Sequence, residues 1–222
     1  MAQAGEDPGR GWRIALFGLV LALALLPIYL AGPIPAMVDY PNHLSRMAVL
    51  ARDGASGANP FYQTAWALYP NLAMDLIIPP VARLIGVVPA TRAFLVLSQL
   101  LVVFGAVAIE LVVKRRFGFA GFVAALLLYS DPFAWGFVNF QFGLGLALLA
   151  FAAWMRMADG RLAWRIGFHA AACLVLFVSH MFALGVYGWA VGLFELWRWR
   201  RSQSLNGGLT QRGGLHLSLI HI

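Results

Sequence analysis

The residues best suited to chemistry in this chain sit in one short segment, Asp39-Tyr40-Pro41-Asn42-His43, with Arg46 just beyond it. Asp39, His43 and Arg46 follow an i, i+4, i+7 spacing, so a helix that includes all three puts them on one face. A carboxylate at a membrane surface can accept a proton from a hydroxyl nucleophile, and a neighbouring cation can hold a phosphate. Asp39 has a plainer reading as the N-cap of the helix that follows, with Pro41 accommodated in the first turn. The two roles are compatible.

Other polar residues carry paired readings of the same kind. Asp75 could orient a substrate or pair with Arg83 or Arg92; it also stands four residues after Asn71, close enough to share a hydrogen bond on a helix. Asp131-Pro132 reads either as a turn at a helix end or as a second site acid. His180 lies inside the apolar stretch 166–194. An ionisable residue at that depth is a functional candidate, or else a neutral imidazole bonded to a neighbouring helix. Asn139 and Gln141 are expected to bond between helices, with Gly143, Gly145 and Ala147 allowing close approach. Glu110 is expected to pair with Lys114 one turn later. Cys173, the single cysteine, can form no intrachain disulfide and reads as a packing residue.

The elements that must hold these residues are membrane helices. Of 222 residues, 61% are hydrophobic and 11% charged, against about 25% charged in soluble domains. The apolar residues come in blocks long enough to cross a hydrocarbon core of about 30 Å. The formal net charge of +7 is gathered in short basic clusters that abut these blocks. That is the positive-inside pattern and excludes nucleic acid as a partner class. Residues 1–11 read as a disordered leader, and 14–31 as an uncleaved first span bracketed by Trp12 and Tyr29. Residues 32–90 form a large outer loop. Within it, 40–51 has a helical period with Tyr40, Leu44, Met47, Ala48 and Ala51 on one face, as in a helix lying on the membrane. The stretch 70–88 is apolar but interrupted by Asp75 and Arg83, and Pro79-Pro80 is expected to break it.

Charge placement orders the rest. If 70–88 stays at the outer interface, the span 91–113 delivers Lys114-Arg115-Arg116 to the inner side. Spans at 118–130 and 140–155 follow, with a bend at 131–139, and Arg156, Arg161 and Arg165 return inside. The 29 residues of 166–194 would make one helix of about 43 Å, so two helices meeting near Ser179-His180 are expected, which keeps Arg198, Arg200 and Arg201 inside. Arg46, Arg52, Arg83 and Arg92 then lie outside. Trp154, Trp164, Trp197 and Trp199 flank the inner ends, and Trp66 and Trp135 the outer segments. The expected fold is all-α: a polytopic transmembrane bundle of about six spans within 12–201, with two interfacial helices in the first outer loop. The positive-inside placement is expected to put it in an energised inner membrane with its N-terminus cytoplasmic. Residues 202–222 read as an unstructured or artefactual tail. The terminal LSLIHI resembles a translated sequencing adapter, so a truncated reading frame with further spans beyond it is expected.

One span followed by Asp-x-Pro-x-His at the start of a long outer loop resembles the membrane glycosyltransferases of the GT-C superfamily. More closely, it resembles bacterial GT-C-like membrane proteins with stretches similar to Asp39-Tyr40-Pro41-Asn42-His43, Pro70-Asn71-Leu72-Ala73-Met74-Asp75 and Asn139-Phe140-Gln141-Phe142-Gly143-Leu144-Gly145. The resemblance covers roughly residues 12–200. It implies a polyprenyl-phosphate sugar donor, catalysis at the outer face, and Asp39 as the base that deprotonates the acceptor hydroxyl. It also implies a second acid in the next outer loop for donor or metal, where Asp131 stands. His43, Arg46 and Asp131 would surround the donor phosphate, with Asp75 and His180 as further substrate-binding candidates. Many GT-C enzymes carry paired acids in the first loop. This chain has Asp39 alone and no Asp-x-Asp or Asp-x-Glu near Asp131, so no motif points to a divalent metal. The rival class is a non-enzymatic membrane protein, a transporter subunit or an assembly scaffold. A transporter requires polar groups through the membrane depth.

Overall fold

A computed structural model describes residues 9–53 and 60–218. The described chain is helical, with no strand among the described residues. In order the helices are α1 (Arg10–Leu30), α2 (Tyr40–Ala51), α3 (Ala73–Ile85), α4 (Val87–Lys114), α5 (Ala120–Leu126), α6 (Asp131–Trp135), α7 (Val138–Arg156), α8 (Leu162–Ser179) and α9 (Met181–Ser218). Four of them, α1, α4, α7 and α8, are long and apolar enough to cross a membrane. This fits a multi-pass membrane protein. Leu19 and Leu23 of α1 and Leu174 of α8 are among many large apolar side chains that remain more than half exposed, as a lipid-facing surface requires.

The centre of the bundle is the α4–α7 pair. Gln99 donates to Gln141 at 2.9 Å. A side chain at Gly145 would meet Leu101, and one at Gly105 would meet Leu148. Contacts thus advance in the same direction along both helices, so α4 and α7 run parallel. The chain between them must therefore travel back over their whole length. It is pinned first at Glu110, whose carboxylate accepts the N–H groups of Gly118, Phe119 and Ala120 at 3.0, 3.1 and 3.2 Å, as well as the Lys114 ammonium. Gly121 then passes against Phe17 and Val107, and the Tyr129 hydroxyl donates to the Ala24 carbonyl at 2.6 Å. The return ends where the Ala134 and Trp135 carbonyls accept the Val38 and Asp39 N–H groups.

This return is not the single helix expected over 118–130. α5 has seven residues and α6 five. Ser130 is extended (φ −76°, ψ 172°), which stops helix propagation, and Pro132 opens α6 from its first turn. Removing the Glu110 pin is expected to loosen this return. Glu110→Ala leaves three loop N–H groups without their acceptor and should lower stability by about 1.5–3 kcal/mol. A thermal melt in detergent would register that, with Glu110→Gln losing less.

α8 and α9 do separate at the expected joint. His180 is extended (φ −169°, ψ 127°) between Ser179 and Met181. α8 runs antiparallel to α7, and α9 parallel to it. Gly143 lies at the level of Ala183, Trp154 bonds Glu195, and Ala158 bonds Arg198. At the far end Arg165 bridges to Glu195 at 2.5 Å while its guanidinium lies 4.4 Å over the Trp154 ring.

One further expectation differs from the structure. α3 runs unbroken through Pro79 and Pro80. The prolines remove two backbone donors, but tertiary contacts hold the element: Leu72 N–H bonds the Val178 carbonyl, Met74 N–H bonds Asn139 Oδ1, and Met74, Ile78 and Ala82 are buried. At the other end, α9 carries the backbone in a helix as far as Ser218, into the stretch 202–222 that reads as an unstructured or artefactual tail. Residues 1–8 of the expected leader and 219–222 of the tail lie outside the described residues.

Candidate functional site

The site is built where α2, α3 and the extended segment 62–69 meet. Asp39 enters α2 with its backbone held from outside the helix, since its N–H donates to the Trp135 carbonyl at 3.1 Å. The contact is close because Gly136 ends α6 in the left-handed region (φ +84°), and a Cβ there would lie 3.0 Å from the backbone nitrogens of both Asp39 and Tyr40. Gly136→Ala combines a left-handed cost of about 1–2 kcal/mol with a push on Asp39. It is expected to lower the melting temperature, and Gly136→Asn, better tolerated in that conformation, to recover part of that loss.

Asp39 occupies the N-cap position without a side-chain cap bond. Its carboxylate instead takes the Asn42 amide at 2.9 Å and faces His43 Nε2 at 3.3 Å. A proton on Nε2 satisfies that contact and leaves Nδ1 as an acceptor. The i, i+4 spacing read from sequence thus forms a side-chain pair, and Asp39 remains 41% exposed.

Arg46 turns to α3. Its Nε and Nη2 hold the two Asp75 oxygens at 2.8 and 2.5 Å, a fork in which both hydrogen bonds are charge-assisted. Asp75 is 4% exposed and Arg46 60%. The hydrogen bond to Asp75 keeps the guanidinium above its usual range, against an opposing cost of burial. Asp75 also gains from its place in the first turn of α3. Its partner is therefore neither Arg83, Arg92 nor Asn71. Arg83 bonds the Ala51 carbonyl, and Asn71 adopts a left-handed conformation (φ 74°) with its carbonyl held by Asn139. Arg46→Ala strands a buried carboxylate and should cost about 1.5–3 kcal/mol in a denaturation midpoint measurement, whereas Arg46→Lys, which keeps the charge but loses the fork, should cost less.

These groups border a cleft of about 860 Å³. Asn42, His43, Arg46 and Asp75 line it together with Tyr62, Gln63, Thr64, Trp66 and Tyr69. Aromatic side chains lining the same cleft as a cation and an imidazole suit a ligand with both an apolar ring face and an anionic group. Asp39 does not line the cleft itself; it reaches it through Asn42 and His43.

The other two expected site residues stand apart. Asp131 is exposed at the start of α6, the end away from Asp39, and no hydrogen bond or ion pair among the described residues joins it to this group. His180 packs edge-on against Phe140, with its Nδ1 accepting the Phe182 N–H, and does not line the cleft. No three His, Cys, Asp or Glu side chains among the described residues converge as a metal site requires. The aromatic wall was missed as a functional element; its sequence signal is the density of rings in Phe61, Tyr62, Trp66 and Tyr69.

Helical spans, a cleft at one end of the bundle and a carboxylate–imidazole pair beside it define the class, a polytopic membrane protein with a polar site outside its apolar core. Compared with known proteins, the chain matches no family model, no curated protein and no solved structure.

Proposed function

We propose that this protein is a membrane glycosyltransferase of the GT-C type, moving a sugar from a polyprenyl-phosphate donor to an acceptor hydroxyl at the outer face. The observation that carries the reading is the convergence of the Asp39–His43 pair, the Arg46–Asp75 fork and an aromatic wall on one cleft beside lipid-facing helices. The acceptor hydroxyl gives its proton to the Asp39–His43 pair, and its oxygen forms the new bond to the anomeric carbon. The polyprenyl phosphate leaves with the electron pair of the old bond, its charge met by Arg46 and His43. Trp66, Tyr62 and Tyr69 give the sugar a flat face to rest on.

In this reading the chain crosses six times, through α1, α4, the return segment 118–137, α7, α8 and α9, with α2 and α3 at the outer interface; the length and apolar character of α1, α4, α7 and α8 support four of these. The N-terminus is then on the cytoplasmic side of a bacterial inner membrane. Labelling tests the topology: in a Cys173→Ala background, Ser45→Cys should react with an impermeant maleimide from outside and Arg115→Cys only after lysis. The opposite pattern overturns it. A transporter would need an open polar path between α4 and α7. There the buried Gln99 donates to Gln141, Ser98 bonds its own helix, and the cavity beside them is about 50 Å³.

The activity is tested with protein reconstituted in liposomes and given polyprenyl-phosphate sugars and a hydroxyl acceptor. Release of polyprenyl phosphate with matching glycosylation of the acceptor is expected. Intact donor after prolonged incubation with every sugar offered would remove the assignment.

A further inference from the structure

Arg92 differs from most of the buried or bridging cations in its electrostatic surroundings. Arg46 has Asp75, Lys114 has Glu110, and Arg165 and Arg198 share Glu195. Arg92, half-buried near the start of α4, has no carboxylate partner among the described residues. Its Nη2 donates to the Gly32 carbonyl, and its Nε is buried with no acceptor. The Arg92 charge also acts on the hydroxyl of Tyr40, a wholly buried side chain whose hydroxyl has no partner either. Tyr40 does not line the cleft that reaches Arg92, so the groups there that lack an anion are the half-buried Arg92 cation and its buried Nε–H.

A cleft of about 480 Å³ leads to Arg92 between the end of α1 and the start of α4. Its other walls are Tyr29, Gly32, Pro33, Val88, Pro89 and Ala93, with no acid among them. Leu26 and Leu30 of the adjoining α1 turn are exposed and would lie along acyl chains. A planar guanidinium suits a phosphate oxygen pair better than an ammonium does, and apolar walls beside it suit a molecule with a hydrocarbon body more than a hydrated ion.

We propose that this cleft binds the phosphate headgroup of an anionic bilayer lipid, with Arg92 as the anchoring cation. The site is separate from the aromatic cleft and does not depend on the transferase reading. It would fix the depth of the α1–α4 end in the outer leaflet.

The test is native mass spectrometry of the full chain in detergent, titrated with phosphatidylglycerol, phosphatidylcholine or inorganic phosphate. One phosphatidylglycerol should be retained at least tenfold better than phosphatidylcholine, and inorganic phosphate should not displace it. Arg92→Gln should abolish that preference, and Arg52→Gln, an exposed control, should keep it. Ala93→Trp fills the cleft while leaving Arg92 in place and should cut retention as strongly, which keeps the test valid if Arg92→Gln is poorly folded. Wild-type retention in Arg92→Gln or Ala93→Trp, equal retention of phosphatidylcholine, or displacement by inorganic phosphate would each overturn the proposal.

Discussion

Asp39→Asn should lower sugar transfer by about 10²–10⁴-fold, the range that general base catalysis supplies. The substitution keeps the size of the side chain and an oxygen for Asn42, but it removes the negative charge that faces His43 Nε2. Initial rates in liposomes, normalised to folded protein, give the measurement, and unchanged transfer would remove Asp39 from the chemistry. His43→Gln tells which member of the pair takes the proton. If His43 receives it at Nδ1 while Asp39 steadies the resulting imidazolium, the two single variants and the double variant lose similar activity, because groups acting as a unit are not additive. If Asp39 takes it directly, His43→Gln retains most of the rate and raises the donor concentration needed for half-saturation. Because His43 lines the cleft and Asp39 does not, the first outcome is expected.

Gly145→Ala should cost about 3 kcal/mol or more, at the upper end of the overpacking range. An added Cβ would sit 2.4 Å from Leu101 Cβ, 2.7 Å from the Leu101 carbonyl carbon and 2.8 Å from Val102 N. Two of those atoms are backbone, so relief requires moving α4 away from α7 rather than rotating a side chain. That would also strain the bond between Gln99 and Gln141. Gly188→Ala on α9 is the control. Nothing lies within 4 Å of its added carbon, and alanine is the better helix former by about 1 kcal/mol. Melting in detergent, followed by tryptophan fluorescence, should separate the two variants clearly. Equal melting temperatures would mean that α4 and α7 are not in backbone contact.

What sequence conveyed well was local. The helix over 40–51 follows from its apolar period, and the joint at Ser179-His180 from the length of 166–194. The pairing of Glu110 with Lys114 follows from one helical turn, and the roles of Asn139, Gln141 and Gly145 from polar and small residues within apolar runs. What it did not convey depends on segments distant in the chain. Asp75 had three partners within reach by spacing, yet Arg46, 29 positions away, holds it. Hydropathy over 118–130 averages across the extended Ser130 and cannot register it. Pro79-Pro80 reads as a break because the donors they lack are counted locally, while the contacts that hold α3 come from α7 and α8. The wall at 62–69 has no helical or alternating period, so only its ring content marked it.

The backbone bond between Asp39 and Trp135 sets an order of events during synthesis. A nascent chain stalled on the ribosome at residue 130 would already carry Asp39, His43, Arg46, Asp75 and the whole aromatic wall. It would still lack the Ala134 and Trp135 carbonyls that anchor Val38 and Asp39. The Asp39–His43 pair can take its final position only after the insertion machinery has released a later stretch of polypeptide, so the cleft would stay incomplete while most of the chain is still being threaded into the bilayer.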